Sequence, residues 1–275
     1  MATRMQDLIR EAMASLRIHP ISKWIRASVG DTVVVDTRAA HVVWEPRRVV
    51  PTYAVPVADL AAELLDAEPA ELPEHPVRIG DGPPVLTPET PFAVHSTPGR
   101  SLTLRTAAGD LPGAGFAPDD PDLDGHVLLD WDAFDQWYEE EQVVMAHPHD
   151  PFDRIDCLVS SRHVEISLAG VTLADSRRPT LLYETPLPVR YYLPREDVAM
   201  ELLEPADHTS VCAYKGHARY WSALVGGEVV PNLAWSYEDP LDDAVPVQDL
   251  VCFFTERLDV RLDGVDQDRA VTPWS

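Results

Sequence analysis

The segment Thr209–Trp221 (TSVCAYKGHARYW) concentrates side chains that can do chemistry. It contains the thiol of Cys212, the amine of Lys215 and the rings of Tyr214 and Tyr220. A lysine is a compact cation that binds anions or carbonyl groups, and a partly desolvated one can act as a base or nucleophile. Two interpretations stay open: the segment lines a pocket, or it is a well-packed strand beside a tight turn.

The relation between Cys212 and Lys215 depends on the local backbone. In a continuous strand their side chains would point to opposite faces. A turn or bulge at Gly216 would bring them together, because glycine adopts the backbone angles that such features need. In the structural alternative Cys212 is a small core residue, Lys215 is solvated and the aromatic rings only pack.

The pocket interpretation defines a set of candidate residues. The predicted ligand-binding residues are Cys212, Tyr214, Lys215, Tyr220, Tyr192, Trp235 and Tyr237. If the protein is an enzyme, Lys215 or Cys212 is the candidate nucleophile or base and Glu184 the candidate acid. The proximity of Glu184 to Lys215 is a hypothesis at this point. Trp235 and Tyr237 would form a stacking floor, although such rings more often fill a core.

A second group of residues could hold a metal. The segment HPHDPFDR (His147–Arg154) offers His147, His149 and Asp150. Two histidines separated by one residue point to the same side of an extended segment, which can suit a metal. No further ligand is visible nearby, and polar residues and prolines are also expected where two domains join. We therefore expect no metal and no other cofactor.

The chain contains two similar halves. Val33–Pro46 (VVVDTRAAHVVWEP) is similar to Thr172–Pro186 (TLADSRRPTLLYETP). Further pairs follow in the same order in both halves: Tyr53–Leu60 with Tyr191–Val198, His95–Gly99 with Cys212–Gly216, and Phe116–Pro121 with Trp235–Pro240. An ordered series of similar segments indicates tandem copies of one domain.

These matches predict the domain boundaries. We expect an N-terminal helix in residues 1–18, a first repeat in 19–146, a linker in 147–156, a second repeat in 157–265 and a tail in 266–275. The first repeat carries a proline-rich insertion, residues 67–91, which is typical of a loop. It has His95, Pro98 and Leu104 where the second repeat has Cys212, Lys215 and Trp221. We therefore place any chemistry in the second repeat.

The pattern of apolar residues predicts a mainly β fold of the α+β class. Val164, Ile166 and Leu168 alternate with polar residues before the turn at Ala169-Gly170, which is typical of a hairpin. A second hairpin is predicted around Gly226-Gly227. Residues 194–203 (PREDVAMELL) predict a helix that begins near a proline. Each repeat should therefore be a small β-rich domain with one or two helices.

Charge and cysteine content exclude several classes of protein. The chain has 275 residues, with 22 basic and 46 acidic side chains and a net charge of −24. Such a surface disfavours binding to nucleic acids and to anionic membranes. The three cysteines form no CxxC motif, which indicates a reducing compartment, and no apolar run approaches the roughly 20 residues that span a bilayer. We expect a soluble cytoplasmic protein.

Four motifs of the second repeat together resemble a bacterial family known as domain of unknown function 427. They are a VADS-like turn (Leu173–Ser176), a YYxPxxDV segment (Tyr191–Val198), a CxYKGxAxYW segment (Cys212–Trp221) and a WxYxxP segment (Trp235–Pro240). The resemblance implies small β-rich domains, with the β-tent folds as candidate relatives. The family is sometimes labelled nucleotidyltransferase-like, but the chain lacks a GxxxxGK[ST] loop and a glycine-rich strand-to-helix turn.

The leading functional hypothesis is a protein that binds a small molecule in a pocket of the second repeat. Lys215 would contact an anionic or carbonyl group there. The alternatives are an enzyme of unknown reaction that uses the same pocket, and a structural or interaction module in which the same residues are only core.

Overall fold

The computed structural model of the chain describes residues 2–70, 72–185 and 187–275. These residues divide into two compact units, and each unit has its own hydrophobic cores. The first unit comprises the described residues of 2–77 and 82–150, and the second comprises 78–81 and those of 151–275. The division after residue 150 lies inside the segment 147–156 that the sequence predicts to be a linker.

The first unit begins with a short α-helix, α1 (Met5–Ala12), none of whose residues is buried. The predicted N-terminal helix is therefore present but shorter than residues 1–18. Eleven strands follow: β1 Arg17–Pro20, β2 Ile25–Val29, β3 Thr32–Thr37, β4 His41–Trp44, β5 Thr52–Pro56, β6 Ala62–Asp66, β7 Gly99–Thr106, β8 Gly109–Pro118, β9 His126–Leu129, β10 Gln136–Glu139 and β11 Gln142–Val144. Short 3-10 helices occupy Val57–Asp59, Pro121–Leu123 and Trp131–Ala133.

The strands of the first unit form two antiparallel sheets. One has seven strands in the order β1-β4-β5-β9-β8-β7-β6, and the other has four in the order β11-β10-β2-β3. Buried side chains from both sheets, among them Ile25, Leu104 and Trp137, form one core cluster. The proline-rich insertion contributes no strand among its described residues, but isolated bridges pair Val77 with Val85 and Arg48 with Leu86.

The second unit also contains eleven strands. They are β12 Ile155–Val159, β13 Val164–Leu168, β14 Val171–Ser176, β15 Thr180–Glu184, β16 Arg190–Leu193, β17 Leu203–Cys212, β18 Gly216–Val225, β19 Glu228–Ser236, β20 Val251–Phe253, β21 Asp259–Leu262 and β22 Val265–Asp266. Its 3-10 helices are Arg195–Asp197, Met200–Leu202, Asp242–Val247 and Thr255–Arg257.

The two units have the same strand order. In the second unit the seven-stranded sheet runs β12-β15-β16-β20-β19-β18-β17, and the four-stranded sheet runs β14-β13-β21-β22. Each strand thus occupies the position of the strand that its matching sequence forms in the first unit. The mainly β fold that the sequence predicts is confirmed.

One core of the second unit is built from both of its sheets, and a second core is built largely on the seven-stranded sheet. The first includes Ile166 of the smaller sheet together with Leu193 and Phe253 of the larger one. The second cluster gathers Tyr192, Trp235, Cys252 and residues of the 3-10 helix Asp242–Val247. The candidate site lies with this second cluster, so the larger sheet must bury both of its faces.

The turn residues of the second unit explain its two predicted hairpins, and the structure confirms both. Ala169 and Gly170 have φ values of 50° and 80°, and Gly226 and Gly227 have 63° and 86°. Two successive residues with positive φ form the turn type whose twist matches that of paired strands. This geometry therefore joins β13 to β14 and β18 to β19.

The predicted helix over residues 194–203 is wrong in its length. The structure contains two 3-10 helices of three residues each, Arg195–Asp197 and Met200–Leu202. Val198 between them is extended and forms an isolated bridge with Ala174. Because this bridge joins the segment to the smaller sheet, the backbone cannot continue as one α-helix.

A hydrogen bond recurs at equivalent positions of the two units. Thr37 Oγ1 donates to Asp59 Oδ2 at 2.6 Å, and Ser176 Oγ donates to Asp197 Oδ2 at 2.7 Å. Each hydroxyl also accepts a bond from the backbone N–H two residues later, at 3.0 and 3.1 Å. The two aspartates therefore link the end of one strand to the 3-10 helix that follows another, which is a role in the fold.

Within the described ranges, no helix combines the length and the apolar character needed to cross a membrane.

The recurring hydrogen bond gives a test of the fold. Replacing Ser176 by Ala or Thr37 by Val should each lower the free energy of unfolding by about 1–2 kcal/mol, because a partly buried carboxylate loses a donor. Urea denaturation followed by circular dichroism measures this change. Thr209→Val on the exposed side of β17 is the control and should have little effect. Equal effects of Ser176→Ala and the control would contradict this role.

Candidate functional site

A tight turn brings Cys212 and Lys215 to the same end of one hairpin. Cys212 is the last residue of β17 and pairs with Gly216, the first residue of β18. Gly216 has a φ of +91°, which residues with a side chain rarely adopt. Ala213, Tyr214 and Lys215 form the turn between them. Lys215 therefore lies in the turn that directly follows Cys212, as the sequence predicts for the case in which a turn at Gly216 interrupts the strand.

Lys215 is buried and forms an ion pair with Glu184. Its side chain is 9% exposed, and its Nζ donates to Glu184 Oε2 at 2.6 Å. The backbone is also held, because the N–H of Leu241 donates to the carbonyl of Lys215 at 3.2 Å. The structure thus brings together all three residues that the sequence offers for catalysis: Lys215, Cys212 and Glu184.

The surroundings of Lys215 keep it charged. Burial alone would lower the pKa of its amine, but Cys212 and Glu184 raise that pKa above the ordinary value of a lysine. Cys212 contributes to this shift as a hydrogen-bond partner of the amine. At neutral pH the amine is therefore protonated, and it can donate hydrogen bonds but cannot attack a carbonyl carbon.

Aromatic rings cover the face of the seven-stranded sheet between Lys215 and Glu184. Tyr192 on β16 is fully buried and its hydroxyl accepts a hydrogen bond from Trp235 Nε1 at 3.1 Å. The ring of Trp235 lies 4.5 Å from that of Phe254 and 6.5 Å from that of Tyr220. Burial raises the pKa of Tyr192 and of Tyr237 well above the usual value, so both phenols stay neutral.

Burial separates the seven predicted ligand-binding residues into two groups. Five of them are buried: Tyr192, Tyr214, Lys215, Trp235 and Tyr237. Only Cys212 and Tyr220 are half-buried. Without rearrangement, a molecule from solvent would therefore reach the site beside Cys212 and Tyr220.

Two residues that the sequence did not indicate, His208 and Ser210, lie beside the half-buried rim formed by Cys212 and Tyr220. Tyr220 and Ser210 form a hydroxyl–hydroxyl hydrogen bond at 2.8 Å, and the His208 ring meets the Tyr220 ring edge-on at 4.5 Å. His208, Ser210 and Cys212 alternate along β17, so a strand places them on one face. This alternation could have predicted that His208 and Ser210 lie beside Cys212, but only if residues 203–212 had been identified as a strand.

A second buried ion pair lies on the same aromatic cluster and was also missed. Arg190 donates to both oxygens of Glu256, at 2.7 and 2.8 Å, and their side chains are 6% and 0% exposed. Thr272 Oγ1 donates to Glu256 at 2.7 Å. The Arg190 guanidinium lies 5.5 Å from the centroids of the Trp235 and Trp274 rings. Two residues 66 positions apart leave no local pattern in the sequence, so this pair could not be predicted.

The first unit keeps the carboxylate of the candidate site and changes its partners. Glu45, at the position of Glu184, is 3% exposed and lies 3.1 Å from His95 Nδ1 and 3.7 Å from Arg48 Nε. The His95 ring stacks on Phe116 with 3.6 Å between centroids. His95 stands at the position of Cys212 and Phe116 at that of Trp235, so the arrangement is related but has neither thiol nor lysine.

Two cavities were found in the first unit. The larger, about 330 Å³, is bordered by Arg48, Tyr53, Asp130 and Trp131 among other residues, and the smaller is about 280 Å³. Neither cavity contains a residue of the second unit. The prediction of a ligand pocket beside Lys215 depends on the ion pair and its half-buried rim.

The predicted metal candidates have other partners. His149 Nδ1 lies 3.2 Å from Glu139 Oε2, and His147 Nδ1 lies 2.8 Å from the carbonyl oxygen of Pro148. In the described part of the chain, the group with metal-ligand spacing is a different one: His163, Glu165 and Asp175, with all ligand atoms within 4.8 Å.

That group has a counterpart in the first unit which cannot bind a metal. His163 Nε2 lies 2.7 Å from Asp175 Oδ1, and at the equivalent positions Trp24 Nε1 donates to Asp36 Oδ1 at 2.6 Å. A guanidinium nitrogen of Arg177 also lies 3.2 Å from the other ring nitrogen of His163, Nδ1. We therefore interpret the contact as a ring-to-carboxylate bond that joins two strands in both units.

Comparison with known protein families gives a match within the second unit. Residues 156–264 match the family NTP_transf_9, described as Domain of unknown function (DUF427). The matched region contains both buried ion pairs and the rings of Tyr192, Tyr220, Trp235 and Phe254. No curated protein matches the chain.

The Arg190–Glu256 pair should be sensitive to the loss of one partner. Arg190→Met leaves a buried carboxylate without its cation and should lower the free energy of unfolding by about 3–5 kcal/mol. The double variant Arg190→Met/Glu256→Gln should recover much of this loss. Urea denaturation of the three proteins measures both effects.

An exposed pair of the same unit provides the matched control. Arg261 and Asp266 lie 2.8 Å apart with side chains 51% and 80% exposed, so Arg261→Met should cost less than about 1 kcal/mol. A similar loss in Arg190→Met and Arg261→Met would show that burial does not determine the contribution of the inner pair.

Glu139 predicts a pH dependence of the first unit. Burial would raise the pKa of this carboxyl, but hydrogen bonds with His149, Lys23 and Tyr53 lower it from 4.5 to about 2. A lowered pKa stabilises the folded state above pH 4.5, and the contribution is lost as the pH falls toward 2. Urea denaturation at several pH values should therefore show a smaller acid loss of stability in Glu139→Gln than in the wild type. The exposed Glu141→Gln should keep the wild-type slope; an equal slope in all three proteins would contradict the assignment.

Proposed function

Because the second unit belongs to the DUF427 family, whose description names no function, we propose a function from the site itself. The second unit binds a small anionic or carbonyl-bearing molecule beside Lys215, and this molecule enters between Cys212 and Tyr220. The observation that carries the proposal is the charged lysine held under a half-buried rim, 2.6 Å from Glu184.

The choice of lysine at this position supports binding. The chain has two lysines and twenty arginines, and Lys215 is the only lysine of the second unit. An arginine would satisfy a carboxylate with two parallel hydrogen bonds, as Arg190 does. A lysine ammonium has three donors in a compact group, so after bonding Glu184 and Cys212 it keeps one for a ligand oxygen.

Energetic considerations point the same way. Burying two charges costs several kcal/mol, and apolar residues of similar volume often stabilise a protein as well or better. An ion pair that is needed only for stability therefore has good replacements. We infer that Lys215 is present for what its ammonium binds, whereas the carboxylate recurs in the first unit as Glu45 with other partners.

The charge state of Lys215 favours binding over the enzyme alternative. A lysine nucleophile must be neutral, whereas the surroundings of Lys215 stabilise its ammonium form. In the second candidate function, Cys212 is the nucleophile and Lys215 stabilises the charge that develops on the substrate oxygen. The half-buried position of Cys212 is the observation that favours it.

The proposal extends to the origin and setting of the chain. The common strand order, the matching carboxylates Glu45 and Glu184 and the recurring aspartate bonds support two tandem copies of one domain, of which the first has lost the lysine. The three free cysteines support a reducing, cytosolic setting.

Native mass spectrometry of the freshly purified protein tests the proposal. The wild type should carry a mass in excess of its denatured mass, and Lys215→Met/Glu184→Gln should lose it while keeping its fold by circular dichroism. This double variant removes both charges at nearly constant volume, so no buried charge is left unpaired. Lys23→Met is the matched control, since Lys23 is the other lysine and pairs with Glu139 in the first unit.

Thermal unfolding with an added probe covers a ligand that is lost on purification. Pyruvate carries both a carboxylate and a carbonyl, and at saturating concentration it should raise the Tm of the wild type and of Lys23→Met but not that of the double variant. An excess mass or a Tm shift that persists in the double variant would place the ligand elsewhere. Neither effect in the wild type would favour the purely structural interpretation.

A further inference from the structure

We propose that the larger cavity of the first unit is a binding site for a small molecule that carries a guanidinium group. All residues that line this cavity lie between Arg48 and Pro148, so the site is tested independently of the binding proposed beside Lys215. Its volume of about 330 Å³ lies near the lower end of the range for small-molecule clefts, about 300–1,000 Å³. The cavity therefore suits a ligand not much larger than an arginine side chain.

Strand pairing identifies the counterpart of Arg190 in the first unit. Arg190 on β16 pairs with Leu182 on β15, and Thr52 on β5 pairs with Val43 on β4. Leu182 and Val43 match each other, because each precedes the buried glutamate of its unit by two residues. Thr52 therefore stands at the position of Arg190. Since Thr52 lines the cavity, the first unit has a short hydroxyl side chain and open space where the second has a guanidinium.

The counterpart of Glu256 is still a carboxylate. Glu256 is the second residue of the 3-10 helix Thr255–Arg257, and Asp132 is the second residue of the equivalent 3-10 helix Trp131–Ala133. Glu256 is buried under its arginine, whereas Asp132 is exposed and lines the cavity. The first unit thus keeps the acid of this pair and replaces the base.

The second unit shows how the fold holds a guanidinium at this position. Arg190 donates to both oxygens of Glu256, and its guanidinium lies 5.5 Å from the centroid of the Trp235 ring and 5.9 Å from that of Phe254. Hydrogen bonds to a carboxylate and contact with aromatic rings are the two interactions that a guanidinium makes best. The group that occupies this place in one unit is therefore a direct guide to what the cavity of the other can bind.

Charge also favours a cation in the cavity. Glu89, Asp130 and Asp132 line it together with the guanidinium of Arg48, and Asp130 stands at the position of Phe254. Arg48 is already bonded to three backbone carbonyls and lies beside a buried glutamate, which offsets its charge. Burial raises the pKa of the Asp130 carboxyl, and a bound cation would act in the opposite direction.

Trp131 supplies an aromatic surface beside these carboxylates. It is half-buried, and its ring stacks on that of Trp137 with 5.1 Å between centroids. The ring of Tyr53, which also lines the cavity, lies 6.3 Å from that of Trp131. A planar guanidinium can stack on such a ring while its N–H groups donate to a carboxylate. The cavity therefore offers the same two kinds of contact that hold Arg190 in the second unit.

Ligand-observed saturation-transfer NMR with propylguanidine tests the proposal, because this compound reproduces the arginine side chain. Titrations at about 0.15 M salt screen the general attraction of a cation to the acidic surface. The wild type should bind propylguanidine at least about tenfold more tightly than propylurea, which has the same shape but no charge. Equal binding of the two compounds, or no binding of propylguanidine, would overturn the proposal.

Two variants locate the bound compound. Asp132→Asn, at an exposed position where the fold should persist by circular dichroism, should raise the Kd of propylguanidine about tenfold. Thr52→Arg places in the cavity the side chain that the second unit has there and should abolish binding. Asp110→Asn is the matched control, since it removes a carboxylate that is 48% exposed in the same unit, and it should keep the wild-type Kd.

A further variant distinguishes this site from the one proposed in the second unit. Lys215→Met/Glu184→Gln should bind propylguanidine with the wild-type Kd, because both of its substitutions lie outside the residues that line the cavity. Wild-type affinity in both Asp132→Asn and Thr52→Arg, or a loss of binding in Lys215→Met/Glu184→Gln, would assign the compound to another site and overturn the proposal.

Discussion

The ion pair between Lys215 and Glu184 is the constraint on which the rest of the second unit's site depends. It joins the turn of the β17–β18 hairpin, at one edge of the seven-stranded sheet, to the end of β15 near the other edge. The strands between them carry Tyr192, Cys252 and Trp235, so the pair encloses the aromatic cluster at one side. Because the ammonium needs its carboxylate to remain buried, the conformation of the turn and the position of the thiol beside it are fixed together.

Comparison of the two units shows which part of this arrangement is constant. A buried glutamate ends the equivalent strand in both, and each has positively charged or imidazole partners close by. In the first unit His95 and Arg48 take this role, and Arg48 also donates to the carbonyls of Thr90, Pro91 and Val94, which lie in or just after the proline-rich insertion. The guanidinium of Arg48 is thus bound by backbone carbonyls at the end of the insertion. The buried glutamate therefore has a partner in both units, but the partner differs: Lys215 in the second unit, and His95 and Arg48 in the first.

Much of the fold follows from short-range patterns in the sequence. The pairs Ala169-Gly170 and Gly226-Gly227 identify two hairpins because their backbone angles match that turn type, and repetition of similar segments identifies the two units. The proximity of Glu184 to Lys215 was foreseen as a hypothesis and is observed. The helix at residues 194–203 was misjudged in length, because the bridge between Val198 and Ala174 is a tertiary contact that helix propensity does not contain. The Arg190–Glu256 pair was missed for the same reason: Arg190 on β16 and Glu256 in the 3-10 helix Thr255–Arg257 meet only when distant parts of the chain are assembled.

The contacts of Thr272 and Trp274 affect where the second unit can be cut out as an independent domain. The last strand ends at Asp266, two residues after the family match, so a fragment cut directly after that strand would contain both sheets. It would nevertheless lack the hydroxyl that bonds Glu256 and the indole ring that lies over Arg190. Water would then reach a charged pair that the intact chain keeps dry. A minimal domain designed for expression should therefore retain residues 267–275, which follow the last strand, as part of the folded unit.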